Sequence, residues 1–94
     1  AAKSALAGIV RTLSNEWAEH GISVNAIAPG YIETENTRAM RDDAPTYESV
    51  RQLIPVGRWG QPDDLVGALV FLSSAASDYV SGIVLPVDGG WLGR

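Results

Sequence analysis

The segment with the residues most suited to holding a ligand is a Pro-Gly turn after an apolar run. Residues 22–28 are almost wholly apolar and β-compatible, which predicts a strand covered on both faces in a parallel sheet. Pro29 and Gly30 end that strand, and open parallel sheets bind ligands beyond the carboxyl ends of their strands. Gly30 also lets a ligand approach the backbone closely. The pattern indicates a ligand-facing loop from Pro29 to Thr34, although an ordinary turn uses the same two residues.

Composition excludes several other kinds of site. The 94 residues carry seven basic and eleven acidic side chains, a net charge of −4 without long runs of one sign, which argues against nucleic acid or an anionic membrane as a partner. The absence of cysteine rules out thiolate chemistry, and a single histidine argues against a metal cluster. No apolar run approaches the roughly 20 residues of a membrane span. We expect a cytoplasmic protein.

Two helices and a second strand must position the loop. Apolar residues recur every three or four positions over residues 1–20, which predicts a helix ending at Gly21. A second helix is predicted over 62–73, because Pro62 suits a first helical position and two aspartates follow it. Residues 83–87 read as a strand, and Pro86 places it at a sheet edge.

The connection over residues 29–61 is predicted to combine the loop with a substrate lid. Thr34 is expected to cap a helix running to about Arg41. We expect Pro45 and the residues before it to interrupt the helix, ahead of another short turn from Tyr47 to Ile54. Such a long connection is often functional, although a solvated linker remains the alternative.

Two predicted strands cannot build an open doubly wound sheet by themselves. The first predicted helix also begins without a capping side chain, and Lys3 would oppose its dipole. We therefore expect residues 1–94 to be the C-terminal portion of one α/β domain at least twice as long, with the remaining strands upstream.

Five segments together resemble the C-terminal half of a short-chain dehydrogenase/reductase, a Rossmann-like family. They are Lys3-Ser4-Ala5-Leu6, Val24-Asn25-Ala26-Ile27-Ala28-Pro29-Gly30, Ile32 with Thr34, Gly57-Arg58-Trp59-Gly60-Gln61-Pro62, and Val87-Asp88-Gly89-Gly90. The resemblance covers nearly the whole chain. Within the family, Tyr31-Ile32-Glu33-Thr34, Arg58-Trp59-Gly60 and Gly90-Trp91 are most similar to sugar-acid dehydrogenases acting on 2-deoxygluconate or gluconate.

The resemblance implies a nicotinamide cofactor, NAD or NADP, and hydride transfer to or from an alcohol or carbonyl carbon. Lys3 matches the family's catalytic lysine, which stabilises the phenolate of a tyrosine four positions earlier and contacts the nicotinamide ribose. The backbone of Pro29, Gly30, Tyr31 and Ile32 and the hydroxyl of Thr34 match the residues that hold the carboxamide. The matching tyrosine would precede residue 1, so we expect the 94-residue chain alone to be inactive.

Polar and charged side chains near the loop also carry expected roles. Asn25 is predicted to tie its strand to a neighbouring loop, and Asp88 to cap the last turn. Arg38, Arg41 and Arg58 are candidate partners for a sugar-acid carboxylate, although surface charge is the commoner role.

The family resemblance implies a homotetramer. The alternatives are a 3-oxoacyl-carrier-protein reductase and, in a different class, a catalytically incomplete interaction module.

Overall fold

The structure is a computed structural model that describes the backbone of residues 2–94 and the side chains from residue 4 onward. The regular elements, in chain order, are α1 (Ala2–Trp17), β1 (Ala26–Pro29), α2 (Arg38–Asp42), α3 (Ala44–Leu53), α4 (Val66–Leu72) and β2 (Val84–Val87). The chain divides into two compact units. The first unit comprises Ala1–Ala28 and Ala68–Leu85, and the second comprises Pro29–Gly67 and Pro86–Arg94.

Helix α1 ends close to the predicted position. A 3₁₀ turn, Ala18–His20, follows it, and Gly21 then adopts the left-handed conformation at φ 76°. The Gly21 amide donates to the Ala18 carbonyl at 3.0 Å, which confirms Gly21 as the C-terminal cap. The apolar stripe is only partly covered in the described chain: Val10 is 4% exposed, whereas Ile9 is 56% exposed.

The two strands form a parallel pair that is shorter than predicted. The amide of Ala26 donates to the Ile83 carbonyl at 3.0 Å, and the Gly82 amide donates to the Val24 carbonyl at 2.8 Å. The predicted strand over 22–28 was too long at its start, because β1 begins only at Ala26. It is also half-buried rather than covered on both faces, since the described residues supply one neighbouring strand.

Side chains replace the backbone ladder just before the strands. Asn25 Nδ2 donates to the Val80 carbonyl at 3.1 Å, and Asn25 Oδ1 accepts from the Ile83 amide at 3.1 Å. Ser81 Oγ accepts from the Val24 amide at 3.1 Å. The predicted structural role of Asn25 is therefore confirmed. Because the side-chain oxygen of Asn25 accepts the hydrogen bond from the Ile83 N–H, β2 begins at Val84 rather than at residue 83.

A pair of serine hydroxyls, one of them buried, joins α1 to the same segment of the first unit. Ser14 is 7% exposed, and its Oγ lies 2.6 Å from Ser81 Oγ. Gly82 follows with φ 84°, and a Cβ there would lie 3.1 Å from Ser14 Oγ. Glycine at position 82 thus serves both the left-handed backbone and this close approach.

The predicted lid is two short helices. A 3₁₀ turn, Glu35–Thr37, leads into α2, and α3 begins at Ala44. The predicted interruption is confirmed at Asp43, which separates α2 from α3, but it is shorter than predicted. Pro45 lies in the first turn of α3, where a missing N–H costs nothing. Val50 and Ile54 from this region and Trp59 form the buried core of the second unit.

The predicted helix over 62–73 is a 3₁₀ turn followed by a short α-helix. The turn spans Pro62–Leu65, and Asp64 Oδ2 accepts a hydrogen bond of 2.7 Å from the Gln61 amide. Leu69, an apolar residue of α4, is 58% exposed in the described chain. None of the described helices has both the length and the apolar character needed to cross a membrane.

Candidate functional site

Gly30 brings the predicted loop against the turn after β2. Its amide donates to the Val87 carbonyl at 3.0 Å. A Cβ at position 30 would lie 2.7 Å from the Cβ of Asp88, which is closer than side-chain carbons approach. Glycine is therefore required here for contact within the chain. Pro29, the last residue of β1, is exposed.

The ring of Tyr31 belongs to an aromatic cluster. It packs edge-on against Trp59, with ring centroids 5.4 Å apart, and edge-on against Trp91 at 5.0 Å. Tyr47 also belongs to the cluster and stacks on Trp59, with ring centroids 5.2 Å apart. These edge contacts fix the ring of Tyr31, which stays half-buried.

Ile32 is fixed by a parallel bridge to Gly60. The Gly60 amide donates to the Tyr31 carbonyl at 2.9 Å, and the Glu33 amide donates to the Gly60 carbonyl at 2.9 Å. This pairing directs the Ile32 backbone away from the bridge. Its N–H donates to no acceptor among the described residues, while its carbonyl accepts from Thr37 Oγ1 at 2.8 Å.

A hydroxyl and a guanidinium hold the loop after Ile32. Thr37 Oγ1 accepts from the Thr34 amide at 3.1 Å and lies 3.1 Å from the Thr34 carbonyl. Arg41 Nε donates to Thr37 Oγ1 at 3.1 Å, and Arg41 Nη2 donates to the Thr34 carbonyl at 2.7 Å. Thr34 occupies the N-cap position of the 3₁₀ turn, as predicted, and its side chain is exposed.

The three arginines considered as carboxylate partners differ in their contacts. Arg38 pairs with Glu35 at 2.9 Å, and Arg58 pairs with Asp64 at 2.8 Å. Arg41 is half-buried and forms no ion pair with the carboxylates of the described residues. Internal pairs therefore neutralise two of the predicted cations, and the third faces the loop.

A cavity of about 180 Å³ lies beside the loop within the second unit. It is lined by Tyr31, Ile32, Ile54, Val56, Arg58, Gly60, Asp64, Val87, Asp88 and Gly89. Asp88 is committed to its own turn, where its carboxylate accepts from the amides of Gly90 at 3.0 Å and Leu92 at 3.1 Å. The prediction that Asp88 caps this turn is confirmed. The charged groups of the lining are thus paired internally.

Lys3 lies in the first turns of α1, and its side chain is outside the described residues. The predicted site residues Pro29, Gly30, Tyr31, Ile32 and Thr34 are contiguous and belong to the second unit. Sequence reasoning missed Thr37 as the hydroxyl that organises them. The signal was present as a Thr-x-x-Thr spacing followed four residues later by Arg41, because positions three and four apart meet on a helical turn.

The comparisons with known proteins agree with this reading of the fold. A family model described as enoyl-(acyl carrier protein) reductase matches residues 1–92. The chain belongs to this family, which is part of the short-chain dehydrogenase/reductase superfamily.

One curated relative is a 2-dehydro-3-deoxy-D-gluconate 5-dehydrogenase of Bacillus subtilis, 58% identical over 94 residues. The match covers 100% of this chain and 37% of the relative, so the chain spans little more than a third of the relative's length.

Two solved structures are also similar. One is a protein of Agrobacterium tumefaciens proposed to be a 2-deoxy-D-gluconate 3-dehydrogenase, with bound NADP, at 60% identity and a TM-score of 0.93. That match covers 99% of this chain and 38% of the other. The second is a gluconate 5-dehydrogenase of Burkholderia cenocepacia in complex with NADP and tartrate, at 47% identity and a TM-score of 0.94, covering 98% and 36%. The α/β fold predicted from the sequence is confirmed by these likenesses.

Proposed function

We propose that the protein containing this chain transfers hydride between a nicotinamide cofactor, NAD or NADP, and a secondary alcohol or ketone of a sugar acid. The observation that carries the proposal is the backbone of Ile32, which presents an N–H without an acceptor among the described residues. Its carbonyl accepts one hydrogen bond and keeps a second lone pair. A carboxamide requires one donor and one acceptor at such a spacing.

The loop fits the nicotinamide end of the cofactor. Pro29 is exposed, Gly30 turns the chain, and the backbone of Tyr31 and Ile32 would hold the carboxamide. The exposed side chain of Thr34 would contribute a hydroxyl to the same group. A bound nicotinamide supplies or receives the hydride, while this loop determines which ring face is presented. NADP in two similar structures supports this assignment.

Lys3 is assigned the role of the family's catalytic lysine. An ammonium close to a phenol favours its ionised form and lowers its pKa, which prepares a tyrosine to exchange a proton with the substrate oxygen. Tyr47 is not that tyrosine. Burial and the neighbouring Glu33 carboxylate raise the pKa of its phenol, whose hydroxyl donates to Glu33 at 3.3 Å. We place the catalytic tyrosine four positions before Lys3, in the full-length protein.

The substrate is inferred from the relatives. A 2-dehydro-3-deoxy-D-gluconate 5-dehydrogenase and a gluconate 5-dehydrogenase support a sugar acid over the alternative, a 3-oxoacyl-carrier-protein reductase. Arg41, the arginine of the lid without an ionic partner among the described residues, gives that region a cation compatible with an anionic substrate. The full-length enzyme is proposed to be a cytoplasmic homotetramer, with residues 1–94 forming the C-terminal portion of its domain.

The test is steady-state kinetics of the full-length protein with NAD(H) and NADP(H). We expect turnover of gluconate, 2-deoxygluconate or their keto forms, and loss of turnover in Lys3→Met with the fold retained. Activity on 3-oxoacyl thioesters alone would favour the alternative substrate. Failure to bind either dinucleotide would leave the interaction-module reading and overturn the proposal. Light scattering of the same sample tests the tetramer, which a stable monomer would contradict.

A further inference from the structure

One hydroxyl at the start of α2 links both sides of the cofactor loop. Thr37 Oγ1 lies within hydrogen-bond distance of the Ile32 carbonyl at 2.8 Å and of the Thr34 amide at 3.1 Å. A hydroxyl has one hydrogen and two lone pairs. Its hydrogen goes to the Ile32 carbonyl, the nearer of two acceptors, and its lone pairs receive the Thr34 amide and Arg41 Nε. The single donor and both acceptor sites of the Thr37 hydroxyl therefore make hydrogen bonds that shape the loop.

Arg41 completes the arrangement from the next turn. Its Nη2 reaches the Thr34 carbonyl at 2.7 Å while its Nε reaches Thr37 Oγ1 at 3.1 Å. The planar guanidinium can hold two such acceptors at once, which a lysine ammonium on a flexible stem does much less well. Arg41 is half-buried, unlike Arg38 one turn earlier, whose guanidinium points to Glu35.

We propose that Thr37 and Arg41 are positioning residues that set the orientation of the Ile32 backbone and the Thr34 side chain toward the nicotinamide. This inference rests on the proposed function. Neither residue contacts the cofactor; both act through the loop. The carbonyl that accepts from Thr37 belongs to the same residue whose N–H has no acceptor among the described residues. Removing the Thr37 hydroxyl leaves the Ile32 carbonyl free to rotate, which misaligns the N–H and C=O groups of Ile32 that would hold the carboxamide.

The positioning role predicts an effect on one end of the dinucleotide. The loop is assigned to the carboxamide, so loss of its shape weakens the nicotinamide contacts and leaves the adenine end unaffected. A general loss of stability would weaken both ends together. An ADP-ribose fragment, which lacks the nicotinamide, therefore separates the two cases.

The experiment measures dissociation constants in the full-length enzyme. NADPH is compared with 2′-phospho-ADP-ribose, or NADH with ADP-ribose, using the pair that the unaltered enzyme binds. We expect Thr37→Val and Arg41→Gln each to weaken dinucleotide binding on the order of tenfold, equivalent to one lost hydrogen bond. Binding of the fragment should change less than twofold. Thr37→Ser, which keeps the hydroxyl, should restore dinucleotide binding.

Two variants serve as controls in the same unit. Thr46→Val removes a hydroxyl that donates to Asp43, and Arg38→Gln removes the guanidinium paired with Glu35. Both should bind dinucleotide and fragment normally. Equal weakening of both ligands by Thr37→Val and Arg41→Gln, or no weakening by either, would overturn the inference. Failure of the unaltered enzyme to bind any dinucleotide would overturn the proposed function with it, and is recognised before any variant is made.

Discussion

The indole of Trp59 lies parallel to the ring of Tyr47, with 5.2 Å between ring centroids and 5° between planes. Its Nε1–H also donates to the Tyr47 carbonyl at 3.1 Å, and Trp59 is 2% exposed. These contacts join α3 to the turn that pairs with Ile32, so the core of the second unit is built directly behind the candidate cofactor loop.

Trp59→Ala should therefore be among the most destabilising substitutions in this unit. Removing a buried tryptophan deletes its packing and leaves a cavity, and we expect a loss of about 3–5 kcal/mol in the free energy of unfolding. Denaturant unfolding of the full-length protein measures it. Leu53→Ala, in the neighbouring helix at 47% exposure, is the control. Equal losses for the two variants would contradict the packing described for Trp59.

The pair formed by Arg58 and Asp64 predicts an acid-dependent loss of stability. The Arg58 hydrogen bonds, and next the Gln61 amide, lower the pKa of Asp64 from 3.8 to about 2. A lowered folded-state pKa stabilises the protein above pH 3.8, and this contribution is lost as the pH falls toward 2. The melting temperatures of the unaltered protein and Asp64→Asn should differ at neutral pH and converge across that window.

Asp63→Asn is the matched control for this titration, because it removes the same charge one residue away from the Arg58 pair. Its melting temperature should run nearly parallel to that of the unaltered protein between pH 5 and pH 2. This range begins above the pKa of 3.8 and reaches the lowered pKa of about 2, so it covers most of the Asp64 transition. A difference for Asp64→Asn that is constant over the whole range would refute the assigned linkage.

Asn25 offers a test of the first unit. Replacement by alanine leaves the Val80 carbonyl and the Ile83 amide without their partner, and we expect a loss of about 1–3 kcal/mol. Amide hydrogen exchange at Ile83 should accelerate in Asn25→Ala, since that N–H loses its acceptor. An Ile83 amide that exchanges at the same rate in both proteins would show that the side chain does not protect it.

Gly30→Ala tests the contact between the loop and the turn at Asp88. The added methyl would overlap the Asp88 side chain, and relief requires the two turns to separate, at a cost of about 1–3 kcal/mol. Gly67→Ala is the control, because a Cβ there has no described atom within 4 Å apart from its chain neighbours and the backbone of its own helix. Thermal unfolding of both variants gives the comparison. A stable Gly30→Ala protein would mean that the turns have room to move.

The sequence predicted most of the elements but misplaced several of their ends. Gly21 and the aspartate at position 88 act through local geometry, so their capping roles could be recognised from residue type alone. The start of β1 could not, because it depends on Asn25 meeting residues more than fifty positions away. The break between α2 and α3 was predicted to extend to Pro45, although proline is also favoured in the first turn of a helix, where it lies here.

The sequence predicted where the loop of the candidate site lies along the chain, but not the contacts that its side chains make. The Pro-Gly turn at the end of a strand indicated the loop, and the family resemblance supplied its assigned role. That Tyr31 faces two tryptophans depends on residues from three separate segments, which no local pattern reveals. The division among the arginines likewise depended on which carboxylate each one meets in three dimensions.

The hydrogen bonds that Thr37 and Arg41 make to the loop all join partners no more than seven positions apart. This network therefore lies within one contiguous segment, whereas the pairing of Ile32 and Glu33 with Gly60 depends on a residue outside that segment. A chimaera grafted at residues 29–42 would transfer the hydrogen bonds of Thr37 and Arg41 together, and would keep the geometry of Ile32 where the recipient also has glycine at position 60. A chimaera whose junction falls between Thr34 and Thr37 would take Ile32 and Thr34 from one parent and Thr37 and Arg41 from the other. Recombination libraries should therefore place their crossovers outside residues 32–41.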